Sequence, residues 1–264
     1  VDQGYRRKGK KIKRGFMDSY KYKWRVCPVQ GRQLKDVRLL DLWGDFRFCN
    51  TYRGGGGYDQ FPKIAKERGL TCRGDIALQF VVQLYGCKLA CPYCYVTRDG
   101  VHGTYKEYTS ERLLGAYGRA FIARQPGVFH LMGGAPALYH SHWPELLDVI
   151  PEDVIFHTDL MLVEREYDLP MLSHCNAGNA LYAVNIKGVT PEDHFKNTGC
   201  KLDEDQFWFN FYCVVDSGIN FYLTFTNPNK DHLDKFKEKI VGRYGDWILN
   251  DHFVIDLINY EALK

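Results

Sequence analysis

Apolar and polar positions alternate in two distinct ways along this chain. From residue 76 onward, short apolar runs take turns with longer stretches of helical spacing. The runs 76–84 (IALQFVVQL), 128–132, 154–158, 180–186, 220–226 and 252–258 read as strands buried on both faces. Between them, 109–123 repeats its apolar residues every three or four positions behind a Thr109 or Ser110 cap, and predicts a helix. Further helices are predicted near 143–150, 167–174, 203–217 and 229–245, the last capped by Asn229. Strands alternating with helices imply a parallel sheet with right-handed crossovers, whose chemistry sits in the loops after the strand C-termini. A partly closed barrel and a doubly wound sheet both fit that pattern.

The first 75 residues lack this order. A short helix near 61–68 is expected, 26–75 otherwise reads as irregular, and Gly54–Gly57 reads as a flexible connector. The chain is therefore divided into a basic extension, 1–75, and an α/β domain, 76–264. The net charge of +3 hides an asymmetry: 19 Lys/Arg against 8 Asp/Glu before residue 76, and 16 against 24 after it. The run Arg6–Arg14, followed by Phe16, Tyr20, Tyr22 and Trp24, is the pattern of a segment that grips phosphates and stacks on bases, or of a solvated tail. RNA or another acidic partner is one expectation for this segment. It could also fold over the mouth of the domain and complete a substrate pocket.

No run of about 18 apolar residues is present, so no membrane partner is expected. No leader-like opening is seen, and nine cysteines, an odd number, argue against full pairing. A reducing, cytoplasmic setting is expected.

Three cysteines are clustered directly after the first strand. In GCKLACPYCY, Cys87, Cys91 and Cys94 have the spacing C-x3-C-x2-C. A short loop with three thiolates can wrap one metal centre: an iron–sulfur cluster with one iron left open, or zinc completed by another Cys or by a His such as His102. The spacing, with Tyr93 in its aromatic place, resembles that of the radical S-adenosylmethionine (SAM) superfamily over about residues 76–258. The resemblance implies a partial (β/α)6 barrel and a [4Fe-4S] cluster on Cys87, Cys91 and Cys94. It also implies SAM on the open iron, cleaved by one electron to a 5′-deoxyadenosyl radical that takes a hydrogen from a substrate.

Other segments extend the resemblance. LMGGAPALY looks like the family's glycine-rich segment at the methionyl ammonium of SAM: Gly133 and Gly134 match, while Ala135 stands where an acid is usual. HTDLMLVE (157–164) and VNIKGVTPEDHFKNTG (184–199) are similar to segments of the pyruvate formate-lyase activating enzymes. There Lys187 matches the lysine that meets the SAM carboxylate, and His194, Thr198 and Gly199 match a downstream signature. In that branch two acids hold a monovalent cation beside SAM. This chain has His157 and Asn185 there and keeps Thr158, so such a site would be weaker. Tyr93 is expected on the adenine face, and Phe253–Leu257 on the last strand would hold adenine by backbone. The six remaining cysteines are expected as free thiols.

The resemblance further implies a flavodoxin- or ferredoxin-type electron donor and a polypeptide substrate. RNA, a nucleotide-like or small molecule, and a non-enzymatic iron–sulfur or zinc module are the alternatives.

Overall fold

A computed structural model describes residues 22–30, 33–35, 41–51, 60–246, 248–249 and 255–259. In chain order the elements are β1 (Trp24–Val26), β2 (Leu42–Trp43), β3 (Phe46–Asn50), α1 (Gln60–Glu67), β4 (Asp75–Gln83), α2 (Arg98–His102), β5 (Lys106–Tyr108) and α3 (Ser110–Arg124). There follow β6 (Pro126–Met132), a 3-10 segment (Pro136–His142), α4 (Trp143–Val149), β7 (Ile155–Leu160), α5 (Leu169–His174), β8 (Ala180–Ile186), α6 (Pro191–Thr198), α7 (Glu204–Asp216), β9 (Phe221–Thr226), α8 (Lys230–Tyr244) and β10 (Ile255–Ile258).

Six strands, β4, β6, β7, β8, β9 and β10, pair in parallel and lie side by side in chain order. A doubly wound sheet reverses its strand order at a switch point. This sheet does not, so the winding is in one direction only. The helices start where the sequence places their caps. Thr109 accepts from Arg112 N–H, and Asn229 accepts from the N–H groups of Asp231 and His232. The buried stripe of α3, Leu113, Ala116, Tyr117 and Ala120, has the helical period and packs on the sheet.

The extension departs from the sequence reading. Leu42–Asn50, expected to be irregular, forms β2 and β3; β3 hydrogen-bonds antiparallel onto the free edge of β4, and β2 antiparallel onto β3. The apolar alternation of Phe46 and Phe48 is only two residues long, too short to stand out, yet both rings pack on Phe80 of β4. Helix α6 also follows the sequence rules without having been predicted. Thr190 caps it by accepting from Asp193 N–H, and Gly199 ends it at φ +68°. The basic run Arg6–Arg14, the Gly54–Gly57 connector and Phe253–Val254 lie outside the described residues. No helix among the described residues is long and apolar enough to cross a membrane.

The two faces of the sheet are used differently. One face carries Phe80, Val82, Phe129, Leu131, Phe156, Tyr182, Val184, Leu223 and Phe225, in a single core with the helices that cover it. The other face changes character along the strands. Near the strand starts, Val128, Ile155, Leu181, Ala183 and Tyr222 pack on Phe61, Ile64, Ala65 and Leu70 from α1 and its exit. Two residues further along each strand, the same face carries His130, His157, Asn185 and Thr224, and a cavity opens there. Side chains alternate with period two, so these positions share a face with the apolar plug beneath them.

Candidate functional site

The cavity has a volume of about 470 Å³ and lies at the C-terminal ends of the parallel strands. The loop that leaves β4 carries Cys87, Cys91 and Cys94, and all three line it. Backbone hydrogen bonds pin this loop on several sides. Gly86 N–H donates to Val101 O at 2.6 Å, Ala90 N–H to Thr198 O at 2.9 Å, and Cys94 N–H to Cys91 O at 3.0 Å. Lys35 N–H donates to Tyr95 O, and Thr97 N–H to Gln33 O. Part of the N-terminal extension therefore braces the cysteine loop, and Lys35 itself lines the cavity.

All nine cysteines are free thiols. Burial pushes the Cys87 thiol up to about 12, with the nearby Cys91 and Cys94 adding to the effect. Burial also raises Cys94, against the pull of Lys187 and Lys35. A metal held here must displace those protons.

The glycines after β6 have a steric reason. A Cβ on Gly134 would stand 2.4 Å from Leu84 O and 2.7 Å from Gly86 O, so the end of β6 presses directly on the root of the cysteine loop. Gly133 has φ +89°, a conformation that favours glycine. Both line the cavity. Ala135 is buried and donates its N–H to Gly86 O at 2.7 Å; it is not on the cavity wall.

Asn185 and Lys187 leave β8 on the same face and line the cavity. The Lys187 ammonium lies 5.5 Å from the centre of the Tyr93 ring. Tyr93, between two of the cysteines, is itself on the wall. Asn185 Oδ1 accepts from Thr224 Oγ1. Behind them, Asn197 on α6 donates to Lys187 O at 2.8 Å and to Thr226 O at 2.9 Å, tying the ends of β8 and β9 together. His194 and Thr198 are buried next to this clamp, where His194 Nδ1 meets Cys200 O at 3.1 Å and Thr198 Oγ1 donates to His194 O at 2.7 Å.

Strand β7 separates residues that stand together in the sequence. His157 and Asp159 face the cavity. Thr158, between them, points to the other face, where its hydroxyl donates to Leu131 O at 3.2 Å. Of the sequence-predicted residues, the cavity thus gathers the three cysteines, Tyr93, Gly133, Gly134, Asn185 and Lys187, but not Ala135 or Thr158. His102, the candidate fourth ligand for zinc, is also on the wall.

Sequence reasoning missed the polar floor. His130, Asp159, Gln79 and Tyr222 line the cavity with His157. Their signal in the sequence is a polar residue inside an otherwise apolar strand. Burial depresses His130 well below the usual histidine range, helped by His157 and Arg47, and depresses His157 to about 3. Burial raises Asp159 to about 6, against the pull of Lys187 and a hydrogen bond from Asn185. Glu164, buried after β7, accepts from the N–H groups of Met161 and Val163 and from Tyr167 Oη, and so fixes the next loop.

No protein-family model matches this chain, and no curated protein matches it. Solved structures do align with it. The chain is similar to Streptococcus suis SuiB over 78% of its own length and 44% of that chain, at 12% identity and a TM-score of 0.49. It is similar to native anSMEcpe with bound AdoMet over 66% and 49%, at 15% identity and a TM-score of 0.45. It is similar to a cysteine-to-serine mutant of spore photoproduct lyase over 67% and 54%, at 14% identity and a TM-score of 0.48. The chain thus spans about half the length of these proteins.

Proposed function

We propose that this chain is a radical SAM enzyme, with Cys87, Cys91 and Cys94 holding a [4Fe-4S] cluster and the parallel strands forming a partial (β/α)6 barrel around it. The observation that carries this reading is the convergence on one cavity of three free thiols from one short loop, two glycines from the next strand end, and Lys187 facing Tyr93. The donor set fits the cluster. Thiolates are its ordinary ligands, and three of them leave one iron open.

When bound, the cluster and SAM supply one-electron cleavage of a carbon–sulfur bond and a 5′-deoxyadenosyl radical that takes a hydrogen from the substrate. The protein's own residues bind and orient. Lys187 offers its ammonium to the SAM carboxylate, a charge-assisted bond. Gly133 and Gly134 would let the backbone after β6 approach the methionyl ammonium, and Tyr93 would offer its ring to the adenine. Asn197 holds Lys187 in register by bonding its carbonyl. Leu89, Val96, Met132 and Met161 give the wall an apolar stretch that would limit water at the reacting centre.

The substrate class we favour is a polypeptide, on the likeness of segments 157–164 and 184–199 to the pyruvate formate-lyase activating enzymes, with a flavodoxin- or ferredoxin-type protein supplying the electron. The test is anaerobic reconstitution with iron and sulfide, reduction, and mass spectrometry of 5′-deoxyadenosine. Production that needs all three cysteines supports the reading. A cluster-loaded protein that makes none sinks it. Deuterium transfer from labelled candidate peptides, as against RNA, identifies the substrate class, and only RNA binding should weaken steeply with salt.

A further inference from the structure

We infer that the floor of the cavity is a second metal site, in which His130, His157 and Asp159 hold one divalent first-row transition-metal ion. Among the described residues, these are the three metal-type donors whose ligand atoms all lie within 4.8 Å of one another. His130 and His157 stand opposite each other on β6 and β7, with ring centres 4.1 Å apart. His130 Nε2 lies 4.0 Å from Asp159 Oδ2. Two ligands bound at about 2.1 Å subtend roughly 3.0–3.4 Å at octahedral or tetrahedral angles, so a small rotamer adjustment closes the set.

The pattern of hydrogen bonds points these groups at an ion. Gln79 Oε1 lies 2.5 Å from His130 Nδ1; with the amide in this orientation its oxygen accepts, Nδ1 carries the proton and Nε2 keeps its lone pair. Tyr222 Oη lies 3.1 Å from His157 Nε2 and can accept from it, which leaves the lone pair on Nδ1. Those two atoms, His130 Nε2 and His157 Nδ1, are buried and have no hydrogen-bond partner among the described residues. The residues are 1% and 4% exposed, so water does not readily satisfy them. Gln79 and Tyr222 then stand where outer partners of metal-bound histidines stand, fixing tautomer and ring orientation.

The third donor, Asp159, keeps 22% of its side chain exposed toward the cavity. With the Tyr222 hydroxyl accepting from His157, the three groups are all acceptors and suit a cation, and two imidazoles with one carboxylate suit a transition metal with open positions. The site has neighbouring cations: Arg47 bears on His130 while donating to Tyr95 Oη and Met132 Sδ, and Lys187, over the Tyr93 ring, bears on Asp159, which also accepts from Asn185. The arrangement uses the period of β7, which puts His157 and Asp159 on one face and Thr158 on the other. Open positions on the ion face the cavity, where they would grip a carboxylate or hydroxyl of the bound substrate.

This site does not depend on the cluster, so the two are tested apart. The full chain with Cys87→Ser, Cys91→Ser and Cys94→Ser is titrated with Co²⁺ alone, by equilibrium dialysis and visible absorption. The expected result is one Co²⁺ per chain. His157→Gln and Asp159→Asn, which each remove a ligand, should weaken binding about a hundredfold or more, and Tyr222→Phe about tenfold, the range seen when a ligand loses its outer partner. X-ray absorption of the bound cobalt, which needs no histidine variant to fold, should show imidazole nitrogen and oxygen without sulfur. No bound cobalt overturns the site, as does affinity unchanged by His157→Gln and Asp159→Asn, or a sulfur-rich shell. Cobalt displaced by an added alkylammonium salt would instead mark the floor as a pocket for an organic cation, and also overturns it.

Discussion

Two walls of one cavity are built by opposite rules. The cysteine loop is positioned by backbone: its root meets the end of β6 so closely that a Cβ at Gly134 would stand 2.4 Å from Leu84 O, and its flanks are held by main-chain bonds from Ala90, Lys35 and Thr97. The histidine–aspartate floor is positioned by strand register, with His130 paired to His157, and by side-chain bonds from Gln79 and Tyr222. A loop can be read from sequence because its cysteines are close in the chain. A floor assembled across strands has no such spacing. Its polar groups instead carry the cost of burial, seen in the depressed histidines and the raised aspartate.

The sharpest way to break the comparison is to remove one side chain from each wall. Cys91→Ala should abolish iron–sulfur absorbance and all SAM cleavage after anaerobic reconstitution, whereas His157→Gln should keep the absorbance. Cleavage surviving in Cys91→Ala contradicts the assignment. Next in size, Lys187→Ala should weaken SAM binding about tenfold or more, the scale of about 1.5–3 kcal/mol for a hydrogen bond to a charged group, with the cluster intact. Isothermal titration checks it, and unchanged affinity removes the role given to Lys187.

Backbone packing gives the third contrast. Gly134→Ala should lower unfolding stability by about 1–3 kcal/mol and reduce cluster incorporation, because both clashing atoms are main-chain carbonyls that cannot rotate away. Met132→Leu, one strand position from the glycines, should cost less than about 1.5 kcal/mol. Equal denaturation midpoints for the two variants would mean that the loop root yields.

The last contrast is a slope with pH. His157 falls from 6.5 unfolded to about 3 folded, so its contribution is present above pH 6.5 and is lost as pH drops toward 3. Asp159 rises from 3.8 to about 6, so its contribution is present below pH 3.8 and is lost as pH rises through 6. His130 and His142 are depressed like His157, and the histidines dominate. Stability should therefore fall on acidification below pH 6.5, at about 1.4 kcal/mol per pH unit for each fully titrating group. His157→Gln should make the fall shallower and Asp159→Asn steeper between pH 6 and 3.8, read from urea midpoints of the metal-free protein.

The sequence alone determined a good deal. The apolar runs between 76 and 258 and the caps at Thr109 and Asn229 marked the parallel strands and two of their helices, because period and capping are local properties. The cysteine spacing marked one wall of the cavity for the same reason. Only the tertiary structure decided that β2 and β3 extend the sheet, that Lys35 reaches the cavity, and that Asn197 clamps two strand ends. It alone set Ala135 and Thr158 off the wall and brought His130 within 4.0 Å of Asp159. Each of these depends on which strand lies beside which and in what register, and that is settled by long-range pairing and burial rather than by neighbours in the chain.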